Sequence, residues 1–129
     1  MNLIRWIPAI VWAAFIAVIC LLPHINLSVP RWLDRFHPDK MVHFFLFLIL
    51  AILILIGTGI PIRRQWTFFI LGFLLFLAMY GGLIELAQGW FTSTRRPEIF
   101  DWIADIAGAT FGLVLFMLII RNDNRKNRD

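Results

Sequence analysis

WTFFILGFLLFLAMYGGLI, residues 66–84, is nineteen residues long and contains no charged side chain. Coiled as a helix it rises about 28 Å, close to the roughly 30 Å of a bilayer's hydrocarbon core. Backbone amides facing lipid have no water to bond, so a segment of this kind forms a helix. Three other runs read in the same way: residues 6–22, 41–56 and 102–120. The second is the shortest and needs its flanks to span. The sequence therefore predicts an all-α polytopic membrane protein, a bundle of four transmembrane helices. It forms a single domain over residues 1–120, followed by a polar, basic tail over 121–129 that is expected to be disordered.

Composition agrees. The chain has 129 residues, of which 60% are hydrophobic, and its mean hydropathy is +0.80; soluble domains hold about 45–50% apolar residues. The first run follows Arg5 as a signal peptide would, but it ends in Leu21-Leu22-Pro23-His24 without a small-x-small cleavage site, which predicts a retained helix. Cys20 is the only cysteine, so an internal disulfide and a CxxC redox site are both excluded.

With four spans, both termini and the middle loop share one side. That side carries seven Lys and Arg residues, against five in the other two loops. The positive-inside rule then places both termini in the cytoplasm. The basic tail suits anionic lipid head groups, and no groove-reading or base-stacking motif points to nucleic acid.

The segment after residue 84 breaks the apolar pattern. Glu85, Gln88, Arg95, Arg96, Glu98, Asp101 and Asp105 crowd into it. On the four-span topology, Glu85 and Gln88 fall where the third span ends, and Asp101 and Asp105 where the fourth begins. Asp39, Lys40 and His43 fall where the second begins. All three places lie on one side of the membrane, the outer side in the orientation above. Lys40 and His43 are i, i+3 neighbours, as are Glu85 and Gln88. Asp101, Asp105, Gly108 and Gly112 form one stripe of the last helix, and small residues on such a stripe admit a neighbouring helix. Gly81 and Gly82 serve the same packing role beside Glu85. The expected result is a shallow, bundle-facing cleft at the interface.

Asp39-Lys40-Met41-Val42-His43-Phe44 resembles the D-K-x-x-H-F signature of the VanZ-like membrane protein family. Glu85-x-x-Gln88, then Arg95, then Asp101-x-x-x-Asp105-x-x-Gly108-x-x-x-Gly112 is similar to the rest of that family's pattern. The likeness covers residues 39–112 in order. Many members carry Asn where this chain has Asp105, and Arg96 doubles the arginine that spacing to Asp101 assigns to Arg95. The resemblance implies a bacterial cytoplasmic membrane and a connection to glycopeptide (teicoplanin) tolerance. The family's polar pattern resembles that of membrane enzymes acting on lipid head groups.

On this reading Lys40, Arg95, Arg96 and Gln88 bind the phosphate of an anionic lipid or lipid-linked cell-envelope intermediate. His43 and Glu85 transfer protons, while Asp101 and Asp105 orient an arginine or a cation. The bland alternatives are a hydrogen-bonded structural His43, Glu85 and Gln88 as helix-to-helix glue, and Asp101 as a first-turn acid favoured by the helix dipole. The set calls for no cofactor. A divalent cation is chemically compatible with His43, Glu85, Asp101 and Asp105, although no ligand spacing marks a metal motif. A small four-helix transporter is the rival class, and a non-catalytic scaffold a third. Transport is disfavoured because no acid stands at a midplane position. His24 and His37 read as solvated loop residues.

Overall fold

The computed structural model describes residues 3–22, 38–59, 67–91 and 97–126, with residues 120–126 as backbone alone. A 3-10 turn, Leu3–Trp6, leads into α1 (Ile7–Leu21). It is followed by α2 (Pro38–Thr58), α3 (Thr67–Phe91) and α4 (Ile99–Lys126). Among the described residues there is no strand, and all four helices are long and apolar enough to cross a membrane. The architecture is an all-α four-helix bundle.

Local chemistry explains where the helices stop and start. Leu22 is extended at φ −65°, ψ 141° because Pro23 follows it, and a residue before proline avoids the helical region. Pro38 opens α2 with Asp39 in its first turn, where the missing N–H costs nothing and an acid meets the helix dipole. Gly59 adopts φ +58° after α2, the left-handed conformation that ends helices at little cost in glycine. The Glu98 carbonyl accepts the Asp101 and Trp102 amides at 3.0 and 3.3 Å, starting α4.

α2 is the most buried of the four spans and packs most extensively against α4, with α1 on its other side. A Cβ built on Gly108 would collide with the Phe44 carbonyl, and one on Gly112 would stand 2.6 Å from the Leu48 carbonyl oxygen. Only glycine permits that approach. The core runs through Ile16 of α1, Phe47 and Leu50 of α2, Leu77 of α3 and Leu113 of α4. Trp12 Nε1 donates to the Leu46 carbonyl at 3.0 Å, and Tyr80 Oη to the Ala13 carbonyl at 2.6 Å, fastening α1 to the bundle. Phe68, Trp90, Leu71 and many other large apolar side chains point outward, a surface suited to lipid rather than water.

Two boundaries differ from the expectation. α3 continues seven residues beyond 84, so Glu85 stands six residues, about 9 Å, before the helix end. Buried partners for Glu85 and Gln88 allow the helix to carry polar groups inward. α4 runs on to Lys126, past the membrane-span candidate that ends at Ile119, so the first part of the tail is helical rather than disordered; Arg121, Arg125 and Lys126 favour helix, whereas Asn122, Asp123 and Asn124 do not.

Candidate functional site

Three helices bring their polar residues to one end of the bundle. His43 lies in the second turn of α2, Glu85 near the end of α3, and Asp105 in the second turn of α4. His43 and Asp105 are 1% and 0% exposed, and Glu85 is 5% exposed. His43 Nδ1 stands 3.0 Å from Asp105 Oδ1 and 3.9 Å from Glu85 Oε1. With Asp105 ionised, its carboxylate only accepts and the imidazole donates its Nδ1–H to it. The expected shallow cleft is thus a closed centre. The longer α3 sets Glu85 deeper, and the glycine contacts of α2 and α4 draw His43 and Asp105 together.

Asp105 fits because residue 81 is glycine: a Cβ there would stand 2.7 Å from Asp105 Oδ2. Oδ2 has no hydrogen-bond partner, and neither has Glu85 Oε1. The other Glu85 oxygen, Oε2, accepts the Glu98 backbone N–H at 2.9 Å. Gly82, beside the Trp102 indole, has room for a Cβ at ordinary contact distance, so its packing role is weaker than that of Gly81, Gly108 or Gly112. Trp102 Nε1 donates to the Ala78 carbonyl at 2.7 Å, holding α4 to α3.

A second cluster lies next to the first. Lys40 Nζ reaches Glu98 Oε2 and Asp101 Oδ1, both at 2.9 Å, and sits 5.8 Å above the Phe100 ring. Asp101 is buried, whereas the Glu98 side chain is 58% exposed. Lys40, which the sequence reading assigns to a phosphate, is held here by two carboxylates. Asp101, expected beside an arginine or a cation, has that ammonium as its cation. Gln88 donates to the Cys20 carbonyl at 3.0 Å, satisfying one of the carbonyls left open at the end of α1. Arg95, Arg96, His24 and His37 lie outside the described residues.

Glu98 is the residue that sequence reasoning left without a role, naming it only among the polar residues that follow residue 84. Its signal was present: it precedes Asp101 by three, which puts both acids on one side of the first turn.

His43, Glu85 and Asp105 each offer one ligand atom, and these atoms all lie within 4.8 Å of one another. The triad is therefore able to hold a metal ion as well as to pass a proton. Outside it, between α3 and α4, runs an apolar groove of about 460 Å³. Leu75, Ala78, Met79 and Leu83 line its length, with Glu85 and Glu98 at the polar end. Among the described residues, Glu85 is the one side chain shared by groove and triad. Comparison with family models, curated proteins and solved structures finds no match to this chain.

Proposed function

We propose that this is a membrane protein that binds, and acts on, the head group of an anionic lipid or lipid-linked envelope intermediate. The observation that carries the reading is the place of Glu85, at the head of the apolar groove and 3.9 Å from His43. A lipid chain lies along Leu75, Met79 and Leu83, and its head group meets the polar end. There Asp105 orients the imidazole, and His43 and Glu85 handle protons. Arg95 and Arg96, next in sequence to the groove's polar end, hold phosphate. The VanZ-like sequence pattern supports the same reading, with the polar end at the outer face of a bacterial cytoplasmic membrane. Transport is less well supported, since the described buried acids gather at one end of the bundle.

Native mass spectrometry of gently extracted protein tests this. Wild type retains an anionic lipid or lipid phosphate, while Arg95→Ala/Arg96→Ala and the groove-filling Ala78→Phe lose it. Folded wild type carrying no such lipid overturns the reading.

A further inference from the structure

We propose that His43, Glu85 and Asp105 bind one first-row divalent ion, zinc or manganese, between three helices. Nothing else described neutralises this centre. Among the described residues of the polar layer, five carboxylates (Asp39, Glu85, Glu98, Asp101 and Asp105) stand against one ammonium and one imidazole, and the ammonium of Lys40 is held by Glu98 and Asp101. Asp39 aside, that leaves two carboxylates and an imidazole in a nearly closed site. A buried carboxylate without a counter-charge is strongly unfavourable. A proton on His43 offsets one negative charge, and the second needs a further proton on a carboxylate; a divalent ion offsets both at once.

Two oxygens point to a ligand directly. Glu85 Oε1 and Asp105 Oδ2 are buried and accept no hydrogen bond, although buried polar atoms are nearly always satisfied. The remaining groups are already fixed around them. Glu98 N–H holds Glu85 by its outer oxygen, as supporting hydrogen bonds do for metal-ligating carboxylates. Gly81 leaves room for Asp105 to turn.

The distances suit an ion. Ligands of a tetrahedral ion with bonds of about 2.0–2.2 Å stand roughly 3.4 Å apart. Here His43 Nδ1 is 3.0 Å from Asp105 Oδ1, the neighbour of the unpartnered Oδ2, and 3.9 Å from Glu85 Oε1, and one ligand atom from each residue can be chosen so that no pair exceeds 4.8 Å. Side-chain rotation closes the remainder. One imidazole with two carboxylates matches zinc and manganese better than copper(I), which prefers sulfur, or calcium, which prefers an all-oxygen shell. On binding, the Nδ1–H bond breaks, an Nδ1–metal bond forms, and the proton leaves to solvent. With the ion bound, His43 and Glu85 act as its ligands in place of the proton handling given to them above, and the ion's remaining positions accept oxygen, which deepens the lipid reading: an anionic head group meets a cation in a centre otherwise rich in acids. Only that last step rests on the lipid reading.

The test titrates chelator-stripped, detergent-purified protein with zinc chloride against a chromogenic chelator, and with manganese by electron paramagnetic resonance. The expected result is one ion per chain with one proton released. Affinity falls about 10-fold or more in His43→Gln, Glu85→Gln and Asp105→Asn, and is unchanged in Tyr80→Phe. X-ray absorption of the zinc-loaded wild type keeps the question open to refutation where a variant does not fold: one imidazole with oxygen ligands supports the site. Two imidazoles or a thiolate, no saturable binding to folded wild type, or undiminished binding by folded Asp105→Asn overturns it. Lipid retention is read from the same samples. Lipid without metal refutes the ion alone, and metal without lipid refutes the lipid reading alone.

Discussion

Asp105 occupies its place because residue 81, on the facing helix, lacks a side chain. An alanine Cβ would come within 2.7 Å of Oδ2 and 3.2 Å of the Asp105 Cβ. Gly81→Ala therefore has two opposed effects. It gains up to about 1 kcal/mol of helix propensity and forces the Asp105 carboxylate to turn away from His43. The net stability change is expected within about 1 kcal/mol of wild type, read from thermal melts in detergent. Metal affinity and head-group handling fall as they do in Asp105→Asn.

Gly108→Ala behaves differently. Its Cβ meets the backbone of Phe44, which no rotamer change relieves. The variant must separate α2 from α4, and overpacking of this kind costs about 1–3 kcal/mol or more. Gly82→Ala, with space beside Trp102, is neutral or slightly stabilising. Unfolding midpoints of the three glycine variants rank Gly108→Ala lowest.

Lys40→Met removes the ammonium that holds Asp101. The buried Asp101 carboxylate loses its partner, and the expected loss is about 1–3 kcal/mol. Glu98→Gln costs less because that side chain is half exposed and its backbone N–H, which holds Glu85, is untouched. A double variant, Lys40→Met with Asp101→Leu, recovers much of the loss if desolvation is the cause. Chemical unfolding of the set checks this order.

The indole of Trp102 fixes α4 to α3 through the Ala78 carbonyl at the groove wall. Trp102→Phe is expected to cost roughly 0.6 kcal/mol, the usual scale for hydrogen bonds between membrane helices, and to loosen lipid retention. Tyr80→Phe, which frees the Ala13 carbonyl at a distance from the groove, costs a similar amount and leaves retention unchanged.

The four spans were legible because a lipid-facing helix is written in unbroken apolar residues, as 66–84 is. The meeting of His43, Glu85 and Asp105 at one end followed from counting spans, since chain direction alternates from one to the next. Their enclosure was not legible. It depends on how far α3 continues beyond residue 84, and helix ends are set by tertiary partners, such as the Glu98 amide on Glu85, that composition does not encode. The pairing of Lys40 was also hidden: three acids stand near it, and only the packing of α2 against α4 selects Glu98 and Asp101. Gln88 carried no mark of its bond to Cys20, because the acceptor is a backbone carbonyl, which no side chain of α1 announces.

The most direct test places a photoreactive amino acid at Met79 in the groove, at Glu98 at its polar end and at Phe68, exposed on the bundle's outer surface and outside the groove. Crosslinked lipids are then identified by mass spectrometry from native membranes. A site that selects a lipid gives the same anionic species at Met79 and Glu98, enriched above its share of the membrane, and bulk lipid at Phe68. Bulk lipid in equal proportion at all three positions would contradict the account.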